Sequence, residues 1–201
     1  MIRRAILASL AVAALGVGTL GHATEGFRAI TAEGARRLDV AARPRALPEA
    51  LLEDQDGGHF RLGDYAGQSI LVEFFYTRCP TICTRLTGAF QTMHGALKNR
   101  GSGSPILVGI TFDPAHDTRD ALHDYARAYG ADGRAWRFAR IANPGDLKAM
   151  LDAFGVVVID DGMGGFDHNA AIHVVDAGGR LARVYDVEDT AIVLADMAAI
   201  R

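Results

Sequence analysis

From Ser69 to Phe75 the chain runs almost unbroken through apolar and aromatic residues, and within eight further positions it carries its two cysteines, Cys79 and Cys83. A run of this kind reads as a strand buried on both faces. Beyond the cysteines, Leu86, Phe90, Met93 and Leu97 recur at helical spacing, so the pair stands where a buried strand gives way to a helix. Few folds place two thiols at such a junction, and the rest of the chain must supply the layers that bury that strand.

The flanking sequence predicts those layers. Leu51–Asp54 and His59–Leu62 frame Gln55-Asp56-Gly57-Gly58, a hairpin signal. Gly101-Ser102-Gly103-Ser104 ends the first helix, and Pro105 to Phe112 forms a second buried strand. Asp117 or Thr118 caps a helix with Leu122, Tyr125 and Tyr129 on one face. A short strand at Phe138–Ile141, a brief helix from Asn143 to Phe154 and a strand at Val156–Ile159 follow, the last running into a Gly-rich loop. Ala170–Val175 and Arg180–Tyr185 pair across Asp176-Ala177-Gly178-Gly179, and a last helix spans about Thr190 to Ile200. A strand ending in cysteines at a helix start, right-handed parallel crossovers and a C-terminal hairpin with a helix give an α/β, thioredoxin-like fold. Its expected form is a central mixed sheet flanked by helices, with an N-terminal β-hairpin.

The N-terminus sets the compartment. Arg3 and Arg4 precede an apolar run from Ala5 to Leu20 that leaves through Gly21-His22-Ala23. This pattern predicts a secretory signal peptide over residues 1–23. Retained, the run would be a membrane tether, for which it is short and rich in Ala and Gly. Residues 24–47, with Pro44, read as a loosely ordered arm, and residues 48–201 as one thioredoxin-like domain. Removal of residues 1–23 takes the formal charge from −3 to −5, and no basic face for nucleic acid is indicated. The expectation is an exported, periplasmic domain.

At a helix N-terminus, unpaired N–H groups favour a thiolate, and Arg78 and Arg85 add positive charge by sequence proximity. Positions i and i+4 of a regular helix hold their Cβ atoms about 5–6 Å apart, whereas a disulfide wants roughly 3.5–4.5 Å. The spacing therefore leans toward a shared metal ion and leaves oxidation open. A purely structural disulfide would close a loop of about five residues and contribute only ~2 kcal/mol. Two sulfurs alone do not complete a zinc site. With one imidazole they suit copper(I), and with a further donor copper(II).

The third ligand should then be a histidine. His59 falls in the first hairpin, His94 and His123 on helical patterns that suggest exposed surface, and His173 within a strand. His116 follows Asp113-Pro114 near the strand ends and is a weaker candidate. His168 lies in Phe166-Asp167-His168-Asn169, after the loop Gly162–Gly165, and Asp167 beside it is placed to orient the ring or fix its tautomer. Position alone does not choose among these histidines.

Three segments together resemble the SCO/SenC family of copper-binding, thioredoxin-like cytochrome c oxidase assembly proteins. They are Phe75-Tyr76-Thr77-Arg78-Cys79-Pro80-Thr81-Ile82-Cys83, then Ile110 to Thr118 with Asp113-Pro114 and Asp117-Thr118, and Asp167-His168-Asn169 with the turn Asp176–Arg180. They span about residues 50–186. The resemblance implies copper ligands at Cys79, Cys83 and His168, and an acidic residue near the site at Asp113. It departs from the family pattern at Thr84, where proline is usual, and at Asn169, where serine is usual, which leaves room for a specialised paralogue.

The resemblance implies a copper metallochaperone that carries one ion, copper(I) or copper(II), to the dinuclear centre of a respiratory cytochrome c oxidase. The expected partner is the apo copper subunit of that oxidase or another exported copper protein. The alternative is a thiol–disulfide oxidoreductase served by a thiol reductant, in which Cys79 attacks and Cys83 resolves. A peroxide-reducing enzyme of the same fold fits less well, because its chemistry does not need the second cysteine.

Overall fold

In a computed structural model the described residues are 2–24, 26, 31–98 and 103–199, and they divide into two compact units, Met1–Ala42 and Arg43–Arg201. Gly101 and Ser102 of the expected helix stop, and Ile200 at the expected end of the last helix, lie outside the described residues.

The first unit holds two helices, α1 (Ile2–Ala23) and α2 (Ala32–Ala42). Along α1 the large apolar side chains Leu7, Leu10, Leu15 and Leu20 are exposed. Among the described residues no helix is long and apolar enough to cross a membrane. Helix α2 corrects the expectation of a loose arm. The Thr31 hydroxyl accepts the Gly34 N–H at 3.0 Å, Glu33 pairs with Arg36 and Arg37, and the alanines that follow favour helix.

The second unit is built on an eight-stranded sheet. Its strands are β1 (Arg45–Ala46), β2 (Leu52–Asp54), β3 (His59–Phe60), β4 (Ile70–Phe75), β5 (Ile106–Thr111) and β6 (Trp136–Ile141). After a separate ribbon, β7 (Val158–Asp160) with β8 (Phe166–His168), come β9 (Ile172–Val175) and β10 (Arg180–Tyr185). The spatial order is β1-β10-β9-β4-β5-β6-β2-β3. The three middle strands β4, β5 and β6 are parallel, and β9 and β2 flank them antiparallel. This is the mixed, thioredoxin-like sheet expected, with the N-terminal hairpin at one edge. Strand β1 adds the opposite edge by pairing with β10, so the segment before residue 48 contributes to the sheet.

Helices α3 (Ile82–Leu97), α4 (Arg119–Tyr129), α5 (Leu147–Phe154) and α6 (Thr190–Ala199) complete the layers. Every residue of β4 is buried, which accounts for its continuous apolar pattern. Helix α3 buries Leu86, Phe90, Met93 and Leu97 as their spacing predicts. Thr118 is the residue that caps α4, its hydroxyl accepting the Ala121 N–H at 3.3 Å. Gly109 is required where β5 crosses the core: a Cβ there would lie 2.4 Å from the Phe138 ring. Strand β6 starts two residues earlier than expected, at Trp136, whose ring is fully buried.

Two histidines differ from their expected surroundings or resolve an open one. His94 is buried, its ring 5.5 Å from that of Trp136 and its Nε2 3.5 Å from Asp132. It occupies the inner face of α3 between Phe90 and Leu97, where an amphipathic side chain completes the packing. His173 is a core residue, edge-on to Phe74 and Phe154, with Nδ1 3.2 Å from the Val72 carbonyl.

Candidate metal centre

The cysteines lie where the buried strand β4 turns into α3. Cys79 precedes the helix and is 8% exposed, while Cys83, the second helical residue, is wholly buried. The Cys83 backbone N–H points at the Cys79 sulfur, 3.4 Å away, as an unpaired donor of the first helical turn should. The turn before Cys79 is fixed from β5 and the loop after it. Asp117, fully buried, accepts the Thr77 N–H at 3.1 Å and the hydroxyls of Thr77 and Thr111.

His168 comes to the pair from the ribbon. Its Nε2 is 3.2 Å from the Cys83 sulfur, and the ligand atoms of Cys79, Cys83 and His168 all lie within 4.8 Å of one another. By sequence His168 is expected in a loop. It ends strand β8, opposite Val158 of β7, and the turn Asp161–Gly165 joins the two. The inner face of the ribbon packs through aromatic rings: Phe112 lies 4.9 Å from the His168 ring, and Phe166 meets both Tyr76 and Phe112. The Phe166 N–H donates to the Tyr76 hydroxyl at 3.3 Å. Asn169 closes the base of the ribbon, its Oδ1 accepting from the Val157 N–H at 2.7 Å and its Nδ2 donating to the Gly155 carbonyl at 3.0 Å.

The remaining expected residues stand outside the donor set. Asp113 is buried, and it accepts from Arg78 at 2.8 Å and lies 2.9 Å from Nδ1 of His116, so it clamps the segment leading to Cys79 without joining the cluster. His116 is held there, outside the donor set. Asp167 is exposed on the opposite face of β8 from the imidazole, as strand alternation requires, and makes no hydrogen bond to the ring. The two arginines do not stand as free positive charges beside the sulfurs, because Arg78 pairs with Asp113 and Arg85 with Glu188.

The two thiols differ electrostatically. Burial opposes ionisation of Cys79, but hydrogen bonds from the Cys83 thiol and from the backbone N–H groups of Thr81 and Cys83 outweigh it and lower its pKa. Burial pushes the Cys83 thiol far above its ordinary value, and its hydrogen bond to Cys79 adds to the shift. Burial lowers the pKa of His168, against smaller opposing effects of the Asn169 backbone and Asp167, so its imidazole is favoured in the neutral, ligating form. A thiol whose ionisation is favoured, a buried thiol and an imidazole favoured in its neutral form converge, and this soft S₂N donor set fits copper.

Tyr76, Phe112, Phe166 and Asn169 were not recognised as supports from sequence. The signal available was local: aromatic residues flank the cysteine and histidine segments, and Asp161-Gly162 marks a turn that would have paired Val158–Asp160 with Phe166–His168.

A thioredoxin-like domain with two cysteines just beyond its central strand, and a histidine brought to them by a separate ribbon, defines the class. The SCO1/SenC family profile matches residues 45–200, and the chain belongs to that family. It is 24% identical over 141 residues to the SCO1 protein homolog of Bacillus subtilis, across 69% of this chain and 72% of that protein. Its fold matches BsSco, described as a member of the Sco family of cytochrome c oxidase assembly proteins with a disulfide switch. The TM-score is 0.69 at 19% identity, covering 79% of this chain and 94% of that one. It also matches Arabidopsis thaliana ScoI with copper bound, with a TM-score of 0.64 at 18% identity over 75% and 96% of the two chains.

Proposed function

We propose that this protein is a copper metallochaperone that holds one copper ion through Cys79, Cys83 and His168. We further propose that it passes the ion to the dinuclear copper centre of a respiratory cytochrome c oxidase, in the periplasm after export directed by residues 1–23. The observation that carries the reading is the convergence of the three donor atoms within 4.8 Å. Family membership and the copper-bound relative support it.

Each residue has a part in that work. Cys79, the more accessible sulfur and the more acidic, offers the first thiolate to incoming or departing cargo. Cys83 gives up its proton as the ion is bound, and His168 closes the site from the ribbon. Exchange into a recipient then proceeds by replacing these donors one at a time. The experiment is a copper(I) titration of reduced, metal-free protein against a chromophoric competitor, followed by mixing with an apo dinuclear-copper domain. One tight equivalent and its transfer are expected; no stoichiometric uptake defeats the reading.

The unequal thiols favour a second role, thiol–disulfide exchange. Lowered Cys79 is suited to attack a disulfide and buried Cys83 to resolve the mixed disulfide. A recipient must present reduced cysteines before it takes copper, so the two roles serve one task.

A further inference from the structure

At the C-terminal end of α3 lies a cavity of about 290 Å³, walled by Leu97, Leu107 and Ala135 and lined also by the exposed Lys98. Two further polar groups line it, His94 of α3 and Asp132 of the turn between α4 and β6. The place is well away from the sulfur pair. The eleven positions from Cys83 to His94 cover about 16 Å at the 1.5 Å rise of a helix.

The side chain of His94 is only 9% exposed, and its Nε2 has no hydrogen-bond partner among the described residues. A buried polar atom left unpaired is costly unless something from outside the chain completes it. Asp132 is held from its other side. Its Oδ1 accepts the backbone N–H groups of Arg134, Ala135 and Trp136 at 3.0, 2.8 and 3.1 Å, which fixes the carboxylate with Oδ2 toward the imidazole.

The gap from Nε2 to Oδ2 is 3.5 Å. It is too long for a hydrogen bond, which spans about 2.7–3.2 Å. It is too short for a bridging water, since two partners each about 2.8 Å from one water at a tetrahedral angle stand about 4.5 Å apart. Two donors bound at about 2.0–2.2 Å to one tetrahedral cation stand about 3.4 Å apart, and this is the spacing that the pair matches.

We propose that His94 Nε2 and Asp132 Oδ2 are the two protein ligands of a second metal site, for a divalent cation of the zinc type, with water from the cavity filling its other positions. An imidazole protonated at Nδ1 offers the Nε2 lone pair, and nitrogen with oxygen donors suits zinc(II), whereas the sulfur pair suits copper(I). Two protein ligands leave positions open, so the ion exchanges readily. Bound, it ties the last turn of α3 to the turn that leads into β6. Lys98 brings an adverse charge, but its long stem lets the ammonium stand out in solvent.

The test is a zinc(II) titration of the full chain carrying Cys79→Ser and Cys83→Ser, which silences the sulfur site. Trp136, the chain's single tryptophan, has its ring 5.5 Å from that of His94, so its fluorescence reports the site. A saturable change in emission is expected, with affinity lowered about tenfold or more by His94→Gln and by Asp132→Asn, since loss of groups that merely support a ligand already costs roughly 10–100-fold. Asp132→Asn keeps an oxygen to accept the three backbone N–H groups. No change in emission, or a change that survives both substitutions at full affinity, overturns the proposal. Nitrogen-15 spectra of the unsubstituted protein, with zinc in excess over the sulfur site, decide the matter even if the variants do not fold. A zinc-induced shift of His94 Nε2 supports the site, and an unmoved His94 resonance overturns it.

Discussion

The Nε2 of His168 lies 3.2 Å from the Sγ of Cys83, although 85 residues separate the two in sequence. The contact joins two independently built pieces: the β4–α3 junction that holds the sulfurs and the β7–β8 ribbon that holds the imidazole. Cys83 is wholly buried in the core, so a change in the ribbon alters the imidazole side of the site and leaves the sulfurs in place. The two halves of the site are therefore separable by mutation.

Removing the imidazole should weaken binding without touching the thiols. His168→Ala is expected to lower copper(I) affinity by about 100-fold or more, since even loss of groups that merely support a ligand costs roughly 10–100-fold. Its dithiol should still be oxidised and reduced as in the unsubstituted protein. Competition titration and thiol counting check the two halves; unchanged copper affinity would exclude His168 as a ligand.

The unequal thiols predict a pH dependence with a defined sign. Cys83 keeps its proton well into the alkaline range, so binding copper displaces it, and apparent affinity should rise with pH by about tenfold per unit. Below the lowered pKa of Cys79 a second proton must also leave, and the slope should steepen toward about a hundredfold per unit. The neutral imidazole contributes no proton above its own lowered pKa. Affinities measured from pH 5 to 8 decide this, and a flat profile is the contrary result. The same asymmetry makes Cys79 the site alkylated first by iodoacetamide, which peptide mapping would show.

Much of this was legible in sequence, because the deciding signals were periodic or local. A strand buried on both faces leaves a continuous apolar run, and α3 repeats its core residues every third or fourth position, so β4, α3, β5 and the last hairpin could be read directly. The ribbon was not, since β7 and β8 each have three residues, too few to show alternation, and their pairing depends on a turn hidden in a Gly-rich stretch. Asp167 misled for a related reason: adjacent residues of a strand face opposite ways, and only knowledge that His168 is in a strand tells the two apart. His94 sits on a helix face that packs against Trp136 of β6, and sequence spacing gives no measure of depth. Pro44 suggests a loose arm, but it lies beyond the last residue of α2 and does not interrupt that helix.

Asp117 should matter more than its distance in sequence from the cysteines suggests. Asp117→Ala strands the Thr77 N–H and two hydroxyls in a buried place, at a cost of about 3 kcal/mol. Because Thr77 leads directly into Cys79, copper affinity should fall as well. Denaturant unfolding and copper titration together test it; loss of stability with unaltered affinity would show that the turn does not position the sulfur.

Gly109→Ala probes the sheet beneath the site. The added methyl would meet Phe138 at 2.4 and 2.6 Å and Phe75 at 3.2 Å, all in the core between β4, β5 and β6. Overpacking of this kind costs about 1–3 kcal/mol, which for a protein of this size lowers Tm by roughly 2–4 °C per kcal/mol. Calorimetry would detect it, and an unshifted Tm would mean that the two rings can move apart at no cost.

Asn169 offers the sharpest separation of ribbon from core. It stands where serine is usual in the family and bridges Val157 and Gly155, the two residues between which the chain leaves α5 for β7. Serine is shorter by one amide group and cannot span both partners from one side chain. Asn169→Ser is therefore expected to leave the sheet intact, with Tm changed by no more than a few degrees, while loosening the strand end that presents His168. Copper should then dissociate faster, with the association rate little altered, because the sulfurs that first receive it are unaffected. Stopped-flow transfer to a chromophoric chelator measures the dissociation rate, and hydrogen exchange at Val157 reports the ribbon itself. Faster exchange at Val157 with an unchanged dissociation rate would show that the ribbon does not govern release.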